Sequence, residues 1–372
     1  MAGLYVHIPL CASRCFYCDF YSSTALQARA SLVDAVCKEL QLRKDYLHGE
    51  VIHTIYLGGG TPSVLKSDEL KKVFDAIQTN YVCDLDEVTI EANPDDVNDD
   101  FVTCLKQLPV NRVSMGVQSF YDDDLKRINR RHTANQAVEA VHRLQTAGYQ
   151  NLSVDLIYGL PFQTAERWQY NIGMALSLQV PHISAYHLTY EEGTVLYRMM
   201  EEGKVSPITE DESVLFFKML RHKLMEAGYE HYEISNFAKP GMHARHNSSY
   251  WDGTPYIGVG PSAHSFDGKN RQWNVADTPS FIAGIAAGKP DCEIEYLTET
   301  ESYNDFVITS LRTAKGLDLQ KLQTQFSSFY AQCLQSAQNS IKSGHLKIED
   351  NCLRLTEEGI LISDAIFVDL IE

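Results

Sequence analysis

The sequence has no run approaching the roughly 18 uninterrupted apolar residues of a membrane span, which excludes a helical integral membrane protein. Its first ten residues, Met1 to Leu10, hold no Lys or Arg and only a short apolar run, so a secretory leader is not expected and the cytoplasm is the expected location. Basic residues are in deficit, with 32 Lys and Arg against 49 Asp and Glu and a formal net charge of −17. That balance argues against broad nucleic-acid binding, although it leaves room for a local basic patch. Repeats and low-complexity tracts are absent. What remains is an ordinary globular balance, 44% hydrophobic and 22% charged, which excludes a disordered or fibrous chain. At roughly 150 residues per domain, 372 residues imply two domains, or one large α/β barrel with an appendage.

Nine cysteines are present, an odd number in a chain expected to be cytosolic, so a disulfide framework is not expected. Cys37, Cys83, Cys104, Cys292, Cys333 and Cys352 are scattered singly and read as small buried hydrophobes. The other three, Cys11, Cys15 and Cys18, lie within eight residues.

The first ~230 residues alternate β-rich and helical runs. Strands are expected at Leu4–Ile8, Val51–Leu57, Glu87–Ala92, Arg112–Gln118, Asn151–Tyr158 and His182–Thr189. Helices are expected at Gln27–Tyr46, Ser67–Thr79, Ala134–Ala147, Ala165–Leu178 and Asp211–Ala227. The fourth of the strands is followed by the clearest helix signal: Thr133-Ala-Asn-Gln136 reads as a capping box, Ala137, Val138, Val141 and Leu144 share one face, and Gly148 stops the helix. Strand–helix alternation gives parallel βαβ units. Six strands fit an open doubly wound sheet or a partial (β/α) barrel, and periodicity does not choose between them; in both, ligands gather at the carboxyl ends of the strands. Glu230 to Asn274 is rich in His, Asn, Gly, Pro and aromatics, has little periodicity, and reads as functional loop. From Thr298 the pattern is helical again. It closes on Leu346–Ile348, a turn at Glu349–Asn351, and Leu353–Leu355, the outline of a small winged-helix module. The expected division is therefore 1–230, 231–295 and 296–372.

Cys11-Ala-Ser-Arg-Cys15-Phe-Tyr-Cys18 is a C-x3-C-x2-C spacing. Three thiolates on one tight loop can hold three irons of a [4Fe–4S] cubane, since thiolate is the soft ligand such clusters need. No fourth cysteine is close, which leaves one iron open to a small molecule. A zinc site is the chemical alternative, but structural zinc takes four ligands. Gly58-Gly59-Gly60-Thr61-Pro62 follows the second strand, where bare backbone can approach a ligand or simply make a tight turn. Polar residues sit at or near further strand ends: Glu91, Gln118, Arg130 and Asp155. Asp155 lies inside an apolar run, where an unpartnered charge is costly.

The cysteine spacing, with Tyr17 before the third cysteine, resembles the radical SAM superfamily. The resemblance implies a partial (β/α)6 barrel, and an open cluster iron that binds S-adenosylmethionine and cleaves it to a 5′-deoxyadenosyl radical. The strings Ile-Glu91-Ala-Asn-Pro, Met-Gly-Val-Gln118-Ser-Phe, Ile-Asn-Arg130-Arg-His and Val-Asp155-Leu-Ile-Tyr-Gly-Leu-Pro resemble the anaerobic coproporphyrinogen III dehydrogenase family. By that resemblance Tyr5, Tyr17, Gly59, Gly60, Thr61, Glu91, Gln118, Arg130 and Asp155 contact S-adenosylmethionine.

Two departures bear on activity. The dehydrogenases carry a fourth cysteine two residues after the third, where this sequence has Phe20, and an extension of several tens of residues before the cluster, where only ten precede Cys11. The expectation is that dehydrogenase activity is lacking. His246-Asn247-Ser248-Ser249-Tyr250-Trp251 combines an imidazole with two large aromatics able to pack on a porphyrin face. It resembles the haem-binding signature of the HemW haem-chaperone branch, with Gly258-Val-Gly-Pro-Ser-Ala-His264-Ser-Phe266 in keeping. That resemblance implies haem on His246, Asn247, Tyr250 and Trp251, with His243 and His264 as alternative ligands, and delivery to haem-accepting apoproteins. Partnership as a homodimer and peripheral docking on the inner membrane face are compatible with it; no nucleic-acid partner is expected. The alternatives are a true coproporphyrinogen III dehydrogenase, or an iron–sulfur regulator using its winged helix on DNA, whose binding would fall steeply with salt.

Overall fold

The computed structural model describes all 372 residues. Six parallel strands, β1 (Ala2–Ile8), β2 (Ile52–Gly59), β3 (Cys83–Ala92), β4 (Arg112–Gln118), β5 (Asn151–Tyr158) and β6 (His182–His187), lie side by side in chain order. Chain order selects the barrel over the doubly wound sheet, whose order would reverse at a switch point. Because β1 and β6 do not pair with each other, the barrel is partial. The β4 and β5 limits coincide with those expected from sequence. Of the helices between strands, Ala134–Thr146 carries the expected capping box, Thr133 and Gln136 each capping the other's backbone. The helix Asp99–Leu105 was not anticipated. Seven residues make barely two turns, too few for a 3.6-residue period to show.

The segment 231–295 differs from its reading as loop. It contributes β7 (Glu230–Glu233), β8 (Asn236–Ala238), β9 (Tyr256–Val259), β10 (His264–Phe266), β11 (Asn270–Asn274) and β12 (Cys292–Tyr296) to the same sheet. β8 lies antiparallel on β6, while β9 lies parallel on β1, so the order is β12-β11-β10-β9-β1-β2-β3-β4-β5-β6-β8-β7. Most of these strands have three to five residues, too short for alternation to register in sequence.

A 58-residue core fills the space between sheet and helices. The C-terminal region has a separate 13-residue core running from Tyr303 to Leu370. There the helix Glu299–Leu311 precedes β13 (Leu317–Asp318), two helices, then β14 (Leu346–Glu349) and β15 (Cys352–Leu355), with β15 between β13 and β14. This is winged-helix order, and its hairpin turns at Asp350 and Asn351, both at positive φ. All nine cysteines are free thiols, but the scattered six are not uniformly core: Cys104 and Cys333 are buried, whereas Cys37, Cys83, Cys292 and Cys352 are half-buried. No helix is long and apolar enough to cross a membrane.

Candidate functional site: a polar lumen between a cysteine loop and a helical floor

The inner face of the barrel is polar at every second residue. β3 offers Glu87, Thr89 and Glu91; β4 offers Arg112, Ser114 and Gly116; β5 offers Ser153 and Asp155; β6 offers His182, Ser184 and Tyr186. Parallel strands covered on both faces normally read as continuous apolar runs. That period-two pattern was the sequence signal for this lumen, and only Glu91 and Asp155 were singled out from it.

At the carboxyl end, Glu91 accepts hydrogen bonds from the Tyr56 hydroxyl at 2.7 Å and the Gly59 N–H at 3.1 Å. Burial, together with Asp155, pushes its carboxyl up to about 7. Asp155 is likewise raised by burial while Ser114 and Ser153 donate to it at 3.3–3.4 Å. Tyr5 donates to His7 Nδ1, or accepts from it, at 2.8 Å and packs 6.1 Å from the Tyr56 ring. Gln118 ends β4 at φ +68. Arg130 reaches the Gly116 carbonyl and donates to Asn93 Oδ1 at 2.7 Å. A Cβ on Gly116 would stand 2.9 Å from the Gln118 amide and 3.1 Å from Arg130, so a side chain there would have to displace the ends of both.

The backbone N–H groups that follow β2 are used within the chain. Gly59 N–H goes to Glu91, Gly60 N–H to the Ile8 carbonyl at 2.9 Å, and Thr61 N–H to the Leu10 carbonyl at 2.8 Å. A Cβ on Gly60 would lie 2.7–2.8 Å from the backbone of Ile8 and Leu10. These glycines let β2 close onto the start of the cysteine loop.

The cysteine loop is pinned to that end from several sides. Cys11 N–H donates to the Ser23 carbonyl at 2.9 Å, Phe16 N–H to the Ile128 carbonyl at 3.1 Å, and Leu196 N–H to the Phe16 carbonyl at 2.8 Å. Phe16 and Tyr17 pack on a satellite cluster of Ile128, Ile157, Leu160, Leu188, Leu196 and Val205. Tyr17 thus helps to anchor the loop, with its hydroxyl beside Cys15 and Arg130. Thr61 Oγ1 stands 3.5 Å from Cys11 Sγ, and Arg130 Nη1 3.4 Å from Cys15 Sγ. Burial raises the Cys11 thiol and pushes Cys18 up to about 11. Three thiols, a hydroxyl and a guanidinium at one mouth are a donor set that suits an anionic iron–sulfur cluster. No three His, Cys, Asp or Glu side chains converge tightly enough to hold a single metal ion.

The opposite end is closed by the helix Arg245–Asp252, which carries the His-Asn-Ser-Ser-Tyr-Trp string. Glu87 caps it, accepting from the N–H groups of Arg245 and His246, both at 2.9 Å. The preceding residue is fixed too: Ala244 N–H donates to Tyr232 Oη, which also bonds His182. His246 is fully buried, with Nδ1 2.9 Å from Thr54 Oγ1 and Nε2 2.8 Å from Tyr250 Oη. Its ring stacks on Tyr56 at 5.3 Å and lies 3.2 Å from where a Cβ on Gly3 would stand, a tight fit. Burial, and Arg112 beyond it, hold its pKa down to about 3. In this arrangement both His246 ring nitrogens are engaged and the ring is enclosed by Tyr56 and Tyr250. Tyr250 and Trp251 share the floor, Tyr250 edge-on to Tyr256 and Trp251 beneath the Arg312 guanidinium at 5.2 Å. Asn247 is half-buried on the same helix. Of the alternative ligands, His243 lies flat on Tyr232 at 4.2 Å and meets Glu230 at 2.8 Å, whereas His264 is exposed.

Comparison with known proteins places this architecture. The profile of the Radical SAM superfamily matches residues 5–172, and that of the HemN C-terminal domain matches residues 297–362. The heme chaperone HemW of Lactococcus lactis is 32% identical over 365 residues, covering 98% of this chain and 95% of that protein. The chain belongs to the HemW family. HemW of Bacillus subtilis is 33% identical over 377 residues, with 99% and 98% covered. The solved structure described as coproporphyrinogen III oxidase (HemN) from Escherichia coli superimposes with a TM-score of 0.86 over 100% of this chain and 90% of its own, at 22% identity. It shares the fold seen here, barrel and tail together.

Proposed function

We propose that this HemW-family chain binds a [4Fe–4S] cluster, S-adenosylmethionine and haem, and hands haem to acceptor apoproteins. The observation that carries the reading is near full-length similarity to proteins named heme chaperones, in barrel and tail alike. Cys11, Cys15 and Cys18 would hold the cluster, with Thr61 and Arg130 donating to its thiolates. Glu91, Asp155, Gln118 and Arg130 would hold S-adenosylmethionine: two carboxylates and a guanidinium suit a zwitterion, and Asp155 suits a hydroxyl donor. Tyr5, Gly59, Gly60 and Thr61 would shape that pocket, with Tyr17 supporting the loop. Cluster and S-adenosylmethionine together supply one-electron carbon–sulfur cleavage when bound. Haem is the cargo, and the division into barrel, sheet extension and tail assigns cofactors to the first. A homodimer, and docking at a membrane face without insertion, are part of the proposal.

The HemN-like fold favours a second reading, coproporphyrinogen III oxidative decarboxylation. Phe20 stands where that reading wants a cysteine, 66% exposed beside the cysteine loop. Anaerobic reconstitution followed by S-adenosylmethionine, a reductant and coproporphyrinogen III separates the two. The carrier reading expects no protoporphyrinogen by chromatography; its formation would establish the second reading.

A further inference from the structure

One charged side chain inside the barrel has no partner. The other buried acids and arginines, Glu39, Arg43, Glu87, Asp124 and Glu233, all make hydrogen bonds. Arg112 is 1% exposed, and its Nε and Nη1 are buried with neither a hydrogen-bond partner nor an ion pair. We propose that the barrel lumen holds a binding site for a small monocarboxylate, with Arg112 and Thr89 as its donors, beneath the pocket assigned above to S-adenosylmethionine. The site goes beyond the carrier reading and does not depend on it.

Strand register places the site. Tyr5, Tyr56, Thr89 and Arg112 follow one another across β1 to β4 and form one layer of the inner face. The layer towards the floor holds Gly3, Thr54 and Glu87, with His246 against them. The layer towards the cysteine loop holds Glu91, Ser114 and Ser153. Arg112 thus lies between the floor and the acids of the carboxyl end. Its charge acts on Glu91 and Asp155 to one side and on His182 and His246 to the other.

A buried guanidinium without an acceptor is costly. The neighbouring carboxylates do not supply one. Glu87 is engaged by the N–H groups of Arg245 and His246. Glu91 is engaged by Tyr56 and Gly59, and Asp155 by Ser114 and Ser153. Thr89, opposite Arg112 in the β3–β4 register, is 0% exposed, and its Oγ1 has no partner either. Two unpartnered polar groups side by side mark polar volume that the chain's own acceptors do not fill.

The donors select the ligand. A guanidinium is a planar fork that takes a carboxylate through two parallel hydrogen bonds, and the threonine hydroxyl adds a third donor. One cation among three carboxylates balances a monoanion and not a dianion such as sulfate. Tyr5 and Tyr56, with ring centroids 6.1 Å apart in the same layer, offer aromatic walls to a short carbon chain.

The test is saturation-transfer NMR of acetate with the full chain, comparing wild type, Arg112→Gln, Arg112→Lys, Thr89→Val and Arg130→Gln. Acetate is expected to take up saturation from wild type and from Arg130→Gln, whose guanidinium lies at the cluster end. Arg112→Gln should weaken acetate about tenfold or more, as loss of a charge-assisted contact requires. Thr89→Val and Arg112→Lys, which keeps the charge without the fork, should weaken it less, and they decide the matter if Arg112→Gln does not fold. Equal binding by wild type and the Arg112 variants would overturn the site, as would loss in Arg130→Gln alone. So would a wild type that binds no acetate, in which water bridges Arg112 to Asn151 Oδ1, its unpartnered neighbour on β5. A chain that binds acetate in this way but takes up no haem would overturn the carrier reading and leave this site in place.

Discussion

His246→Ala distinguishes a floor residue from a surface ligand. The substitution removes hydrogen bonds to Thr54 and Tyr250, stacking on Tyr56, and a buried ring's volume. At about 1 kcal/mol per hydrogen bond and about 1 for the stack, with cavity cost added, the loss is about 3–4 kcal/mol. An exposed loop histidine would cost within about 0.5 kcal/mol. The pH dependence adds a second signature. The folded His246 stays neutral down to about pH 3, held there by burial and by Arg112. An unfolded histidine protonates below about 6.5. The unfolded chain therefore binds the extra proton in that window, and stability from this group is complete above pH 6.5 and lost as pH falls. By pH 5 the loss is about 2 kcal/mol. His7, His132 and His231 behave in the same sense, so the informative quantity is the difference between wild type and variant. Urea unfolding at pH 7.5 and pH 5 gives it: the gap should be about 3–4 kcal/mol at pH 7.5 and about 2 smaller at pH 5. Equal midpoints at pH 7.5, or a gap independent of pH, would refute the floor.

Four further outcomes follow from the geometry. Cys15→Ala should reduce reconstituted iron and acid-labile sulfide to background, and full content would remove it as a ligand. Gly60→Ala should cost about 1–3 kcal/mol through its clash with the Ile8 and Leu10 backbone, and lower cluster yield with it; an unchanged unfolding midpoint would contradict that contact. S-adenosylmethionine binding should weaken as pH falls through about 7, where Glu91 takes up its proton, and Glu91→Gln should bind weakly at every pH; a pH-dependent Glu91→Gln variant would assign the titration elsewhere. Arg43→Met, which strands Glu39 in the core, should cost about 3–5 kcal/mol, measured by urea unfolding, and a loss under 1 would show that Glu39 reaches water.

The strands of the barrel were legible because each is a run of six to ten residues with a clear apolar stretch, and four of the intervening helices because they span three turns or more. The cysteine loop was legible because its chemistry is local: three ligands within eight residues. The floor was not. Its fastening joins Glu87 to the backbone of residues 245 and 246, and His182 to Tyr232, across separations that no short window spans. The string at 246–251 showed an imidazole beside aromatics, which is equally the composition of a packed plug; only the partners of its two nitrogens decide.

The most direct measurement is haem handover. The reconstituted chain would be loaded with haemin, freed of excess, and mixed with the apo form of a b-type haem protein whose holo spectrum is distinct. The account predicts conversion to the acceptor's spectrum, limited by release from this chain and unaffected by a haem-impermeable background of bulk protein. A loaded chain that retains its haem against a tighter-binding acceptor, or a chain that takes up none, would contradict it.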